Sequence, residues 1–225
     1  MPKLEIALAL TSLTPLSVGA GGSAGSLADK SIVRDGWGRP IIPGSQLKGK
    51  LRHAAERLLG SVGQPVPTDF NDTKTESAIR TLFGTGGGER ARLRFIDLVG
   101  LPEGTPADWH PSSSSERRSL SQIRPSVSIN RRRGTAEDAH LLFQEAALEA
   151  LVYQASPAIC GNDERITLGH AALLWAALTL TERWGGGTSR GLGWVTLAVT
   201  VTWDGAKVEE DALKNALRTV LKEGN

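Results

Sequence analysis

The sequence predicts an α+β sandwich of the ferredoxin-like type rather than a regularly alternating α/β fold. Three observations support this prediction. The elements follow in the order strand, helix, strands, helix, strand; the predicted strands alternate apolar with polar residues or are rich in β-branched residues; and two long segments have apolar residues at helical spacing. With 225 residues, 40% of them hydrophobic, the chain can bury one core. We therefore expect a single domain over residues 1–225, with loop insertions near 61–75 and 102–118.

The first half of the chain begins with a predicted strand and contains the first long helix. Residues 3–13 alternate between apolar and polar types, which is typical of a strand with one buried face. Residues 32–33 are predicted to form a short strand before a turn that Asp35 caps. Ser45 is predicted to cap a helix that ends near Gly60, because apolar residues recur at helical spacing between them.

The middle of the chain contains shorter predicted elements. Residues 76–83 are consistent with a short helix stopped by Gly84. Residues 91–98 alternate apolar with basic residues, which indicates a strand with one wet, positive face. Residues 143–153 are ambiguous, because their Ala, Leu and Glu content favours a helix without excluding a strand.

The second half ends with a helix, a strand and a second helix. Residues 164–184 form the clearest predicted helix, ended by the glycines at 185–187. Residues 193–203 are rich in β-branched residues and predict a strand, and residues 209–223 predict a terminal amphipathic helix. This order completes the ferredoxin-like pattern.

The composition excludes several classes of protein. The formal net charge is only +2, from 26 basic and 24 acidic residues, so nucleic-acid binding has to depend on local basic clusters. Cys160 is the single cysteine, which excludes a disulfide framework and a multi-cysteine zinc site and fits a reducing cytoplasm. No segment reaches the roughly 18 apolar residues that a membrane span needs. We expect a cytoplasmic protein without a membrane partner.

Residues 185–193, GGGTSRGLG, carry the first functional signal. Glycines let a backbone approach a phosphate closely, and Thr188, Ser189 and Arg190 supply hydrogen-bond donors. The loop is not a Walker A motif, because it lacks Gly-Lys-Ser/Thr and precedes a strand instead of a helix. A plain helix stop followed by a tight turn is the alternative interpretation.

Residues 32–52, IVRDGWGRPIIPGSQLKGKLR, carry the second signal. A turn delivers Ser45 to the start of a helix, whose free amides attract anions, and Lys48, Lys50 and Arg52 follow closely. The pattern predicts phosphate-binding chemistry. Its alternative is an ordinary capped surface helix with solvated lysines.

Four segments together resemble a known family. They are PLSVGAG at 15–21, the run at 32–52, LFG at 82–84 ahead of a strand, and the glycine loop at 185–193. In this order they look like the RAMP superfamily, and within it the Cas-seven group of backbone subunits of type III CRISPR effector complexes, which includes the Csm and Cmr backbone proteins. The resemblance implies an RNA-recognition-motif-like core with a projecting thumb hairpin, within residues 120–142, and it favours a strand at 143–153.

The resemblance also implies an RNA-binding surface. Several copies of such a subunit stack along a CRISPR RNA guide, together with paralogues and other effector subunits, and the thumb wedges between bases. The implied RNA-binding residues lie in the first glycine-rich loop, the lysine-bearing helix, the thumb and the second glycine loop. They are Gly19, Gly21, Gly22, Ser45, Lys48, Lys50, Arg52, Arg131, Arg132, Arg133, Gly187, Ser189, Arg190 and Gly191.

Asp29 is the catalytic candidate that the resemblance implies. Cleaving members cut a single-stranded target RNA once it is paired with the guide. They use an aspartate that stands six residues before the Asp of the VxRD-like segment, here Asp35. One carboxylate does not make a dedicated metal site, so Mg²⁺ or another divalent cation would be shared with RNA phosphates.

Three alternatives remain open. The first is a purely structural subunit of the same complex. The second is a stand-alone guide-processing endonuclease of related fold, which needs a histidine or tyrosine general base, and Tyr153 and the four histidines form no suggestive cluster. The third is a nucleotide-binding metabolic enzyme, which the missing Walker and Rossmann motifs disfavour.

Overall fold

The structure of the protein is a computed structural model. It describes residues 3–20, 28–69, 72, 74–86 and 88–222. Among the described residues, no helix is both long and apolar enough to cross a membrane.

The described residues form nine strands and five α-helices. The strands are β1 (Lys3–Ser12), β2 (Ile41–Ile42), β3 (Leu93–Phe95), β4 (Leu98–Pro102), β5 (Ser121–Asn130), β6 (Thr135–Ala147), β7 (Leu151–Asn162), β8 (Val195–Trp203) and β9 (Ala206–Lys207). The helices are α1 (Gly44–Ser61), α2 (Ala78–Phe83), α3 (Ser114–Ser119), α4 (Leu168–Thr179) and α5 (Glu210–Lys222).

The main sheet is antiparallel and has the ferredoxin-like order. β1 lies in its centre and pairs with β7 on one edge and with β8 on the other. β4 pairs with the far edge of β7, so the four core strands run in the order β8, β1, β7, β4. Because α1 follows β1 and α4 joins β7 to β8, this is the split βαβ topology of the ferredoxin-like class. The α+β prediction is confirmed.

The core lies between one face of the sheet and the helices. Leu4, Ile6, Leu8 and Leu10 of β1 are buried, as their alternation predicts. They belong to one apolar cluster with the buried faces of α1 and α4, and α5 adds Leu213. The spacing of apolar residues in these elements therefore decides which face of each is buried.

β5 and β6 form a separate two-stranded sheet, which we call the hairpin. Residues 131–134 close it, and the amide of Gly134 donates to the carbonyl of Asn130 at 2.8 Å. The side chain of Asn130 accepts from the amides of Arg132 and Arg133, both at 3.0 Å. β6 continues to Ala147 and β7 begins at Leu151, so most of the ambiguous segment 143–153 is extended. Cross-strand pairing therefore overrides its helical composition.

Three local predictions were wrong. Residues 32–33 do not form a strand, because Ile32 makes one isolated bridge with Gly19 and Val33 makes none. The second long helix is shorter than predicted and spans Leu168–Thr179. It begins at Leu168 because residues 163–167 form a turn and a cap, and Leu180 is its C-terminal cap. Ser45 does not cap α1, whose N-cap residue is Pro43 without a side-chain hydrogen bond. The turn cap of Asp35 is confirmed, since its Oδ1 accepts from the amides of Trp37 and Arg39.

The insertion around residues 103–113 is tied to the core by one buried arginine. Arg39 is 6% exposed, and its Nη1 donates to the carbonyls of Ala107 and Trp109 at 2.8 and 3.0 Å. Trp109 itself is half-buried and packs against the core cluster. Its side chain therefore has a packing role within this chain.

Thr167 caps α4 through its hydroxyl oxygen, which accepts from the amide of His170 at 3.3 Å. Replacing Thr167 by Ala removes this acceptor, so we expect the free energy of unfolding to fall by about 1 kcal/mol. Chemical denaturation followed by circular dichroism measures the change. Thr179→Ala is the control, because its hydroxyl donates to the carbonyl of Trp175 and caps no amide. An equal loss in both variants would contradict the prediction.

Candidate nucleic-acid interface

The hairpin base is where the segments on both sides of the first glycine-rich loop and the second glycine loop meet. We define it as residues 143–147 of β6 with their partners 121–125 of β5. Leu16 and Ala147 exchange backbone hydrogen bonds of 3.0 and 2.8 Å. The amide of Glu145 donates to the carbonyl of Lys30 at 2.8 Å. The segments before and after the first glycine-rich loop are thereby attached to the edge of β6.

Asp29 is held against the hairpin base by both its backbone and its side chain. Its amide donates to the carbonyl of Phe143 at 2.9 Å, and its Oδ2 accepts from the amide of Phe143 at 2.8 Å. The residue is nevertheless exposed. The predicted catalytic residue, Asp29, is therefore exposed to solvent, and its carboxylate is held at the hairpin base by a hydrogen bond.

Glu145 and Arg34 form a half-buried ion pair beneath this segment. Arg34 Nη2 lies 2.7 Å from Glu145 Oε1, and the hydroxyl of Ser121 donates to the same oxygen at 2.7 Å. Glu145 Oε2 accepts from the amide of Ile32 at 3.1 Å. Burial of Glu145 raises its pKa, but the hydrogen bonds from Ser121, Arg34 and Ile32 outweigh this effect and hold the pKa below its ordinary value.

The glycine loop, residues 185–193, lies against the segment that leads into the hairpin base. The amide of Gly186 donates to the carbonyl of Ser17 at 2.7 Å. The hydroxyl of Ser17 donates to the carbonyl of Glu145 and accepts from Gln144 Nε2, at 2.9 and 2.8 Å. Ser17 thus joins the glycine loop to β6.

Two glycines of this loop are required by packing. Gly185 has φ +73°, and a Cβ there would meet the carbonyl oxygen of Ser17 at 2.6 Å. Gly193 has φ +79°, and a Cβ there would overlap the carbonyl oxygen of Trp184. Gly191 has φ +80° but open space around it. Ser189, Arg190 and Gly191 are exposed, whereas Gly187 is half-buried. The loop is therefore a rigid support with a polar, cationic tip.

The basic residues of α1 do not form one surface. Lys50 Nζ donates to the carbonyl of Arg183 at 3.2 Å, on the side of the glycine loop. Arg52 faces the other way, with its Nε 2.7 Å from Glu56 Oε1 and its Nη1 3.4 Å from the carbonyl of Gly84. Lys48 lies one turn before Arg52, and burial together with the Arg52 charge lowers its pKa.

This division follows from helix geometry, because side chains two residues apart do not face each other. Lys50 contacts Arg183, which leads into the glycine loop, whereas Arg52 points toward Glu56 and Gly84.

The start of α1 is not an open anion site. The amide of Gly44 donates to Asp97 Oδ1 at 2.8 Å, so a carboxylate of the same chain already occupies the positive end of the helix. Gly44 is buried against the backbone of Phe95, which brings the turn carrying Asp97 to this point. Ser45 is the second helical residue and is exposed. The predicted capping role of Ser45 was wrong, whereas its role in RNA binding stays a prediction.

Arg131, Arg132 and Arg133 lie at the tip of the hairpin and are exposed. β5 has five steps from Pro125 at the base to Asn130 at the tip, so at about 3.3 Å of rise per residue the tip lies roughly 17 Å from the base. The tip arginines therefore belong to a separate surface from the glycine loop. Gly19 pairs with Ile32 near the base, and Gly21 and Gly22 lie outside the described residues.

Four residues of the candidate interface were not singled out from the sequence, namely Arg183, Gln144, Arg34 and Glu145. The guanidinium of Arg183 lies 3.8 Å from the ring centroid of Trp194, and its Nη1 donates to the carbonyl of Thr188 at 3.2 Å. Arg183 therefore supports the glycine loop through its hydrogen bond to Thr188. Arg183 stands two residues before the glycines, but nothing in its local pattern distinguishes it from a surface arginine.

The donor set at Asp29 fits a divalent cation only in part. Within the described ranges, no three His, Cys, Asp or Glu side chains are grouped so that they could hold a metal ion. One oxygen of Asp29 accepts from the Phe143 amide, and the carboxylate is exposed. A cation at this point would need most of its oxygen ligands from elsewhere.

The ferredoxin-like sheet, the projecting hairpin and the glycine loop at its base agree with a comparison of the sequence with protein families. The chain belongs to the RAMP superfamily, whose family model matches residues 9–196.

Two curated relatives are more specific. The chain is similar to the CRISPR system Cms endoribonuclease Csm3 of Mycobacterium tuberculosis (strain ATCC 25618 / H37Rv), with 42% identity over 99 residues, 42% of this chain and 41% of the relative. It is also similar to the protein of the same name from Enterococcus italicus (strain DSM 15952 / CCUG 50447 / LMG 22039 / TP 1.5), with 33% identity over 101 residues, 42% of this chain and 45% of the relative. The matched segment spans less than half the length of either relative.

Gly191 and Gly193 offer a matched pair for testing the loop. Both have φ near +80°, but only Gly193 has its Cβ position filled, by the carbonyl of Trp184. We expect Gly191→Ala to lower the free energy of unfolding by about 1 kcal/mol, the usual strain of a left-handed alanine. Gly193→Ala should lower it by clearly more, on the order of 3 kcal/mol, because the backbone also has to shift. Urea denaturation measures both values, and equal values would contradict the packing argument.

Proposed function

We propose that this chain is a repeating backbone subunit of a type III CRISPR ribonucleoprotein that binds the sugar-phosphate backbone of the CRISPR RNA guide at the hairpin base. One observation supports this above all others: the glycine loop, the Asp29 segment and the start of the hairpin are joined by direct hydrogen bonds. These segments are far apart in sequence. The superfamily membership and the two Csm3 relatives point to the same assembly.

The chemistry of the glycine loop suits phosphates rather than bases. Its exposed part presents a hydroxyl at Ser189, a guanidinium at Arg190 and the open backbone of Gly191. Lys50 adds an ammonium group on the adjacent face of α1. Such donors hold a backbone without reading its sequence, which is what a guide of variable sequence requires.

The hairpin supplies an exposed apolar surface that can pack against bases or against a neighbouring subunit. Cross-strand partners share a face, so Val127 with Leu141 and Pro125 with Phe143 lie on one side. Val127 and Leu141 are 49 and 57% exposed, and Ile123 and Ile129 are 43 and 62% exposed. We assign this face to wedging between bases and to stacking with copies or paralogues of this chain, with the tip arginines meeting phosphate.

Cleavage of paired target RNA is assigned to Asp29. Its carboxylate would contribute one oxygen to Mg²⁺ or another divalent cation, and RNA phosphates and water would contribute the others. When bound, the cation would neutralise charge at the scissile phosphate. Asp29 itself is exposed and fixed by Phe143, so it can meet an RNA strand crossing the hairpin base. The assembly would act in the cytoplasm.

A non-catalytic subunit of the same complex is the second candidate. The observation in its favour is that Oδ2 of Asp29 accepts from the Phe143 amide, which is a structural role sufficient to explain an aspartate here. The two candidates predict different effects of Asp29→Asn: a catalytic Asp29 requires that cleavage is lost, and a structural Asp29 does not.

Arg190→Ala tests the phosphate site. We expect weaker binding of a single-stranded RNA and a slope of log Kd against log salt that is smaller by about 0.7, the effect of one lost phosphate contact. Fluorescence anisotropy over a salt series measures this. Arg218→Ala on α5 is the control, because Arg218 is an exposed arginine whose Nη1 contacts Asn215. An unchanged slope for Arg190→Ala would refute the assignment of the loop.

Asp29→Asn tests cleavage separately from structure. Asparagine keeps an oxygen that can accept from the Phe143 amide but loses the negative charge. If Asp29 is catalytic, the assembled complex carrying Asp29→Asn should bind target RNA normally and cleave it at least about 100-fold more slowly. Gel electrophoresis of labelled target RNA measures the rate, and removal of divalent cations by a chelator should give the same loss in the unaltered complex.

Asp211→Ala on α5 is the control for the cleavage test, because its side chain is 95% exposed. Normal cleavage by Asp29→Asn, with loss of the complex in Asp29→Ala, would establish the structural role instead. If the unaltered chain, purified with its native neighbours, carries no repeat-derived RNA of uniform 5′ end, a stand-alone endonuclease is favoured instead.

A further inference from the structure

We propose that Trp37 is a stacking platform for an RNA base, on the side of the hairpin base opposite the glycine loop. The inference rests on the proposed function and adds a contact for the strand that crosses the apolar face of the hairpin. Trp37 is 57% exposed, and among the described residues it is the tryptophan with a largely exposed side chain.

The turn that carries Trp37 is fixed by its neighbours. Asp35 Oδ1 accepts from the amides of Trp37 and Arg39, at 3.0 and 2.9 Å. Asp35 Oδ2 lies 2.6 Å from Arg39 Nε, and the amide of Gly38 donates to the carbonyl of Asp35 at 3.0 Å. These bonds hold the backbone without using the indole. An exposed ring on a preorganised turn loses little entropy when it binds.

Arg34 connects this turn to the hairpin base. Its Nη1 donates to the carbonyl of Gly38 at 2.8 Å, and its Nη2 donates to Ser121 Oγ at 2.8 Å and to Glu145 Oε1 at 2.7 Å. Ser121 is two residues from Ile123 on β5, and Glu145 is two residues from Phe143 on β6. Residues two apart on a strand share a face, so Ser121 and Glu145 lie on the apolar face. The Arg34 guanidinium therefore places the Trp37 turn at the end of the apolar face that lies in the hairpin base.

Gln144 lies on the opposite face, where it contacts Ser17 beside the glycine loop. The two faces of the hairpin base thus carry different chemistry: phosphate donors on one and an apolar surface ending at Trp37 on the other. An RNA strand whose backbone is held by the phosphate donors would present its bases to the apolar face.

The surroundings of the indole are cationic and aromatic. The Arg39 guanidinium lies 4.9 Å from the Trp37 ring centroid. The His110 ring lies 6.0 Å away at an angle of 30°. Arg117 packs against Gly38, and Arg117 and Arg118 are exposed. An exposed aromatic ring among cations is the arrangement by which proteins bind unpaired bases.

Stacking is also the mode of recognition that the proposed function needs here. Every base has a π-face, so an aromatic platform accepts any sequence. A subunit that repeats along a guide and meets targets of arbitrary sequence can use such a contact at each copy.

The test compares Trp37→Ala and Trp37→Phe in the full chain, with two labelled single-stranded RNAs, one intact and one carrying abasic sites. For intact RNA we expect Trp37→Ala to raise Kd by about five- to 100-fold, and Trp37→Phe to raise it only slightly, because a phenyl ring still stacks. For abasic RNA, the unaltered chain, Trp37→Ala and Trp37→Phe should have the same Kd. Val62→Ala, at a 40% exposed apolar residue after α1, is the control and should bind as the unaltered chain does.

Each outcome separates the inference from the proposed function. If the unaltered chain binds RNA and Trp37→Ala binds it equally well, the platform is refuted while the glycine-loop assignment stands. An equal loss on intact and abasic RNA would show that the ring supports the fold or the backbone, and would also refute stacking. Unchanged RNA binding with loss of co-purified subunits would identify Trp37 as a protein contact. Failure of the unaltered chain to bind RNA would refute the proposed function itself.

Discussion

The backbone contacts of Leu16 and Ser17 are the constraint on which the rest of this structure depends. Leu16 pairs with Ala147 of the hairpin base, and Ser17 accepts from Gly186 of the glycine loop. This short stretch follows β1, the central strand of the sheet, so the orientation of the sheet fixes both the hairpin and the loop. The close approach also explains the glycine at 185, since a Cβ there would lie 2.6 Å from the Ser17 carbonyl oxygen.

Elements with a strict local pattern could be predicted from the sequence. β1 has four buried aliphatic residues in perfect alternation, and α1 has its apolar stripe at helical spacing, so burial and period agree in both. The segment 143–153 was harder, because its composition favours a helix while its partners in β5 and β1 are remote in sequence. Pairing between distant strands is not encoded in any local window.

The candidate interface was predictable only where its residues lie within one motif. Asp29 and the glycine loop come from such motifs, and the structure places both at the hairpin base. Their role in RNA binding and cleavage stays a prediction. The occupation of the α1 terminus by Asp97 could not be foreseen, because the two partners are 53 residues apart. The same holds for Arg34 and Glu145, 111 residues apart. The separation of Lys50 from Arg52, in contrast, follows from helix geometry alone.

The hairpin has a further consequence for how copies of this chain would assemble. Beyond its base it is a ribbon of two strands with an uncovered apolar face, and such ribbons are only marginally stable alone in water. Its outer part would therefore be stabilised by another molecule that covers that face. In the proposed ribonucleoprotein, each added subunit would cover this face of its neighbour. Growth along a guide would then be cooperative, and short, incomplete assemblies would be disfavoured.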